Sequence, residues 1–139
     1  MEATIYSILS NDADIQSILE DTTWTGTGTE YKIFHQAAPQ DKVEPYITYQ
    51  RITTDPHDTK DGVSTLDVVD VDVDIWATTN ADLVSIAAKV RAALDRKEEG
   101  TYGGDEIQSI RFTGQNSNYN EATQLHHITQ TFSVRQKNP

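Results

Sequence analysis

The chain contains no cysteine, so disulfide cross-links and thiolate metal sites are excluded. Basic residues are scarce: 11 Lys and Arg stand against 22 Asp and Glu in 139 residues, for a formal net charge of -11. Phosphate affinity comes from Lys and Arg, so this balance argues against a non-specific nucleic-acid binder and against a protein that adheres to anionic membranes. Hydrophobic residues make up 36%, below the usual globular share, so the core has to be economical. No stretch approaches the roughly 18 apolar residues of a spanning helix. The opening Met1-Glu2-Ala3-Thr4 lacks the basic and apolar regions of a secretory signal. A soluble protein with no membrane partner is expected. Its acidic surface suits solubility, a basic partner, or a passage that must not hold DNA. The length fits one domain, 1–139, and is short for two cores.

What the chain does have is a periodic ribbon. Residues 66–77 read Leu-Asp-Val-Val-Asp-Val-Asp-Val-Asp-Ile-Trp-Ala, with strict alternation from Val69 onward. That is the pattern of a half-buried strand, with Val69, Val71, Val73 and Ile75 on one face. Asp70, Asp72 and Asp74 occupy the other. A row of carboxylates is costly unless water, a cation or a partner meets it, so what lies against that face is the functional question.

The remaining segments place this ribbon in an α+β domain. Ile5, Ile8 and Leu9, then Ile15, Ile18 and Leu19, have helical spacing, as one bent helix or two short ones; Ser10 or Asn11 is the expected cap of the second. Residues 21–30 form a Thr/Gly loop anchored by Trp24. Tyr31–His35 and Tyr46–Thr53 read as strands, and 54–64 as a long mobile connection. Thr79 or Asn80 caps a helix whose stripe is Leu83, Ile86, Ala87, Val90, Ala93 and Leu94, and Gly100, Gly103 and Gly104 end it. Glu106–Thr113 and Gln124–Gln136 read as closing strands joined by an Asn-rich turn over 114–121. The expected architecture is two-layer, with a four- to five-stranded, mainly antiparallel sheet and helices on one face.

Catalytic motifs are weak. Asp-x-Asp-x-Asp also opens a calcium loop, but Ile75 and Trp76 replace the glycine turn that such a loop needs. Same-face residues on a strand stand about 6.5–7 Å apart, too far for neighbouring carboxylates to clasp one ion easily. His126 and His127 should face opposite ways on a strand, and His35 and His57 supply no metal spacing. Thr25-Gly26-Thr27-Gly28-Thr29 lacks the ending of a phosphate loop, and Ser10, Ser64 and Ser85 have no nucleophile-elbow context. Trp24, Trp76, Tyr102 and Tyr119 are candidate interface aromatics, since tryptophan and tyrosine are enriched at subunit contacts. The plainer reading of Trp76 is an aromatic at the edge of the core.

Several segments, in order along nearly the whole chain, carry a resemblance: Asp12-Ala13-Asp14-Ile15, Tyr31-Lys32-Ile33-Phe34, Ala38-Pro39-Gln40, Pro45-Tyr46-Ile47-Thr48-Tyr49, Val73-Asp74-Ile75-Trp76-Ala77-Thr78, the helix through Ala87–Leu94, and Thr131-Phe132-Ser133-Val134-Arg135. The sequence resembles the tail terminator, or tail completion, family of long-tailed bacteriophages. The resemblance implies a structural virion protein rather than an enzyme, with no cofactor. It implies a ring, usually a homohexamer, at the head-proximal end of the virion tail, built in the host cytoplasm during assembly. The implied partners are further copies of itself, the tail tube protein and the head-tail connector protein, with genomic DNA passing through unbound. Asp70, Asp72 and Asp74 then become a candidate lumen or interface face. Asp55, His57, Lys60 and Asp61 become a candidate docking loop onto the tube or connector. Three other readings stay open: a head-tail connector component, a metal-dependent hydrolase using the aspartate row, and an acidic DNA mimic that binds a basic protein.

Overall fold

The computed structural model describes residues 2–20, 31–36, 45–56, 66–97, 99–121 and 125–137. Its elements are α1 (Glu2–Ser10), α2 (Ala13–Leu19), β1 (Ile33–His35), β2 (Tyr46–Pro56), β3 (Leu66–Ala77), α3 (Asn80–Leu94), β4 (Gly100–Tyr102), β5 (Asp105–Asn120) and β6 (Leu125–Lys137). The strands form one sheet in the order β1-β2-β3-β6-β5-β4. Every neighbouring pair is antiparallel except β1 with β2, which is parallel.

The alternating ribbon does what its pattern requires. Val69, Val71, Val73 and Ile75 are buried and face the helices, and across β6 they meet Val134, Phe132, Gln130 and Ile128. Leu83, Ile86, Ala87, Val90 and Leu94 of α3 are buried in the same core, which also takes Ile5 and Leu9 of α1 and Ile15 and Leu19 of α2. α3 lies across β3 and β6, so the valine row and the leucine stripe close on each other. Thr79 caps α3 as expected, its side chain accepting from the Asp82 N–H at 3.2 Å.

Four boundaries differ from the sequence reading, each for a local reason. The N-terminal segment is two helices, and the cap of α2 is Asp12, whose Oδ1 accepts from the Asp14 and Ile15 N–H groups at 3.0 and 3.1 Å. Asn11 instead donates its side-chain amide to the Ser7 carbonyl at 2.7 Å, closing the end of α1. The sheet has six strands, not four or five, because Gly100–Tyr102 pairs with Asp105–Ile107. Gly103 and Gly104, at φ +60° and +89°, form the two-residue turn of that hairpin rather than the end of α3. β2 continues through Thr54, Asp55 and Pro56, so the connection to β3 spans 57–65 rather than starting at 54. Finally, β5 runs unbroken through 114–120, where a turn was expected. Its polar residues are held by pairing with β6, from Gly114 against Thr131 to Asn120 against Leu125, and a register shift between Phe112 and Gly114 absorbs the break in pattern.

Candidate assembly surface

All three helices pack into one core on the valine side of the sheet, and no described helix covers the other side. That second face is built by strand alternation. Asp70, Asp72, Asp74 and Trp76 project from β3. Tyr46, Thr48 and Gln50 flank them from β2, and His127, Thr129, Thr131 and Ser133 from β6.

Two of the three carboxylates, Asp72 and Asp74, are held by hydrogen bonds from β6. The Thr129 hydroxyl donates to Asp74 Oδ1 at 2.6 Å, and His127 Nε2 lies 2.9 Å from the same oxygen. The Thr131 hydroxyl donates to Asp72 Oδ1 at 2.7 Å. Asp70 stands between Ser133 and Thr53 in the ladder. All three side chains are half-buried. A carboxylate that accepts one hydroxyl keeps lone pairs for a further donor, so Asp72 and Asp74 are pre-ordered acceptors on this face. Among the described residues, no group of three or more His, Asp or Glu stands close enough to hold a metal ion.

Along one end of this face runs an aromatic row across four strands. Phe34 meets Tyr46 edge-on at 6.4 Å, and Tyr46 stacks with Trp76 at 6.3 Å. Trp76 in turn stacks with His127 at 3.9 Å, the planes only 3° apart. The Trp76 indole N–H donates to the Thr48 hydroxyl at 3.4 Å. The row locks His127 between an aromatic plane and the Asp74 carboxylate. Trp76 therefore sits on the open face, half-buried, beside the aspartates. His126 points the other way, toward Tyr119 at 4.7 Å, as adjacent strand residues must.

The other candidate residues are dispersed. Tyr102 belongs to β4 and packs against the core, with the Lys97 ammonium 5.4 Å above its ring. Tyr119, 52% exposed, stands near the far end of β5 on the helix side of the sheet. Asp55 lies in β2. Trp24, His57, Lys60 and Asp61 lie outside the described residues. Sequence reasoning missed His127, Thr129 and Thr131 as partners of the aspartates. The signal was present in the alternation of β6, where Ile128, Phe132 and Val134 face the core and the hydroxyl residues between them do not.

The fold has a known relative. A chain described as "Virion of native gene transfer agent (GTA) particle" superposes with a TM-score of 0.72 at 18% identity, covering 99% of this chain and 95% of that one. The two chains thus share their fold. The family model for tail completion protein gp17 matches residues 3–137, and the chain belongs to that family. It is a structural protein of a phage-type tail. No curated protein sequence matches it.

Proposed function

We propose that the protein caps the tail tube as a homohexameric ring at its head-proximal end and joins tail to head. The observation that carries this reading is the match to the tail completion family over residues 3–137. The helix-free face adds physical support. A sheet with one face buried under helices and the other an ordered row of carboxylates can separate a structural core from a functional surface.

In this reading the ring arrests tube growth by shape-matched association and then presents its other side to the head-tail connector. Asp70, Asp72 and Asp74 face the channel. Each copy brings a net charge of -11, so six acidic chains repel DNA phosphate and let the genome slide instead of sticking. Residues 57–65, with His57, Lys60 and Asp61, dock onto the tube or the connector beside Asp55 at the end of β2.

A three-dimensional reconstruction of the assembled tail end tests all of this together. Six copies around the DNA path are expected, with the aspartate row toward the axis and 57–65 at a contact with a neighbouring ring. A chain found singly, or with its aspartates turned away from the channel, contradicts the reading.

A further inference from the structure

Among the described residues, two edges of the sheet stand open, at opposite corners. β4 covers β5 only at Asp105–Ile107, and the turn after α3 adds contacts at Ile110 and Phe112. From Thr113 to Asn120, β5 has no strand partner among the described residues on the side away from β6. At the other side of the sheet, β1 covers β2 only at Ile47–Tyr49. From Ile52 to Pro56, β2 has no strand partner among the described residues on the side away from β3. An open edge is a template for another strand unless charge, proline or a bulge blunts it.

The β5 corner carries no proline, and its register shift lies at its start, between Phe112 and Gly114. The β2 corner has its own shift between Arg51 and Thr53 and ends in Asp55 and Pro56, so Ile52–Asp55 is the part that keeps backbone N–H donors. Residues 112–134 hold a single formally charged side chain, Glu121, in a chain that is 24% charged. Copies carrying -11 each repel one another, so they approach most cheaply where charge is missing. Exposed apolar groups mark the same two corners. Among the described residues the exposed large hydrophobics are Ile52, Val84 and Tyr119. Ile52 is on the open edge of β2, at the register shift between Arg51 and Thr53. Tyr119 is on the open edge of β5.

Val84 rims a cavity of about 500 Å³ on the helix side of the β5 corner, where α3 leaves the end of the β5–β6 hairpin unroofed. Its walls include Ala88, Gln115, Ile128 and Gln130. Gln130 is 1% exposed. Its Nε2 donates to the Ala87 carbonyl at 2.9 Å and to Gln115 Oε1 at 3.2 Å, while its Oε1 has no partner. Gln130 lines this cavity while its buried Oε1 is left without a partner. A strand laid along β5 sends every second side chain over this cavity.

Strand directions choose the partner. β2 and β6 run one way, β3 and β5 the other. A second copy placed beside the first in the same orientation therefore lays its β2 antiparallel to β5. We propose that Ile52–Asp55 of one copy adds to Thr113–Asn120 of the next, continuing the sheet across the subunit boundary. The contact joins two different patches, so it is head-to-tail, the type that makes a ring when the rotation between successive copies closes. Each open edge is the C-terminal half of its strand, and β2 and β5 run in opposite directions, so successive copies are staggered, as strands are when a sheet closes on itself. The helix-free faces of all copies then share one side of the ring. This inference rests on the ring reading above and names the contact that builds it.

The absence of native cysteine makes the test direct. Ile52→Cys is combined with Asn116→Cys or with Asn118→Cys, and the wild-type mass is measured by light scattering. A disulfide-linked ladder from at least one double variant is expected, with none from any single variant. Val84→Glu and the double change Asn116→Asp with Asn118→Asp should weaken association at least tenfold while leaving the circular dichroism spectrum unchanged. A ring-sized wild type with no ladder and with charge variants that still assemble overturns this contact and leaves the ring standing. Dimers from a single-cysteine variant of β5 also overturn it, since they report a twofold β5–β5 contact. A wild type that stays monomeric at every concentration overturns both the contact and the ring.

Discussion

Val73→Asp should leave the chain unfolded or nearly so, while Asn at the adjacent Asp72 should be tolerated. Val73 is fully buried in the row that faces α3. A carboxylate there has no hydrogen-bond partner of its own and has to be protonated or hydrated at the expense of packing. Such unpaired burial belongs to the exceptional class of substitutions that cost more than about 4 kcal/mol. A domain of this size has only about 5–15 kcal/mol in total. At Asp72 the side-chain oxygen that accepts from Thr131 survives in asparagine. The change there should cost within about 1.5 kcal/mol, the scale of one net hydrogen bond. Urea titration followed by circular dichroism reads both. Equal midpoints for the two variants would refute the division of the ribbon into a packed and an open face.

Phe132→Ala should remove about 3–5 kcal/mol, the usual cost of emptying a large aromatic site. Phe132 is fully buried at the middle of β6, opposite Val71 of β3 and Phe112 of β5. Its ring meets Phe112 edge-on at 5.7 Å and 65°. The site is where three central strands and α3 come together, so little can collapse into the hole. Leucine at the same position keeps most of the volume and should cost clearly less than alanine. The comparison is made at one protein concentration, because assembly adds its own stabilisation to the folded state. An alanine variant within about 1 kcal/mol of wild type would mean that the core is organised elsewhere, well below the expected loss for such a site.

These sites show which parts of the structure were legible in the sequence. β3 announces itself because each residue's environment depends on its own parity, and period two is a local signal. α3 was equally plain, since Thr79 and the stripe from Leu83 to Leu94 need no knowledge of distant residues. The distal half of β5 was not. Gly114-Gln115-Asn116-Ser117-Asn118 has no apolar alternation, and only its pairing with β6 makes it a strand. β4 was hidden for the same reason: Gly100-Thr101-Tyr102 is a strand only because Asp105–Ile107 folds back on it.

The open face was half legible. The parity of Asp70, Asp72 and Asp74 followed from the ribbon, and so did the side on which Trp76 lies. Their partners did not, because the register that sets Asp74 against Thr129 and Asp72 against Thr131 joins residues more than 50 positions apart. Gln130 is the sharpest case. It occupies an inward position between Ile128 and Phe132, where the alternation alone calls for an apolar residue. Its amide is retained on the Ala87 carbonyl of α3, and its side-chain oxygen is buried without a partner.

Single cysteines placed in turn from position 69 to 76, each challenged with a maleimide in the folded, dispersed chain, test the central arrangement most directly. Labelling that alternates is expected, fast at 70, 72 and 74 and slow at 69, 71, 73 and 75. Uniform labelling, or protection of the even positions together with the odd ones, would mean that the ribbon is not divided into a packed valine side and a free acidic side.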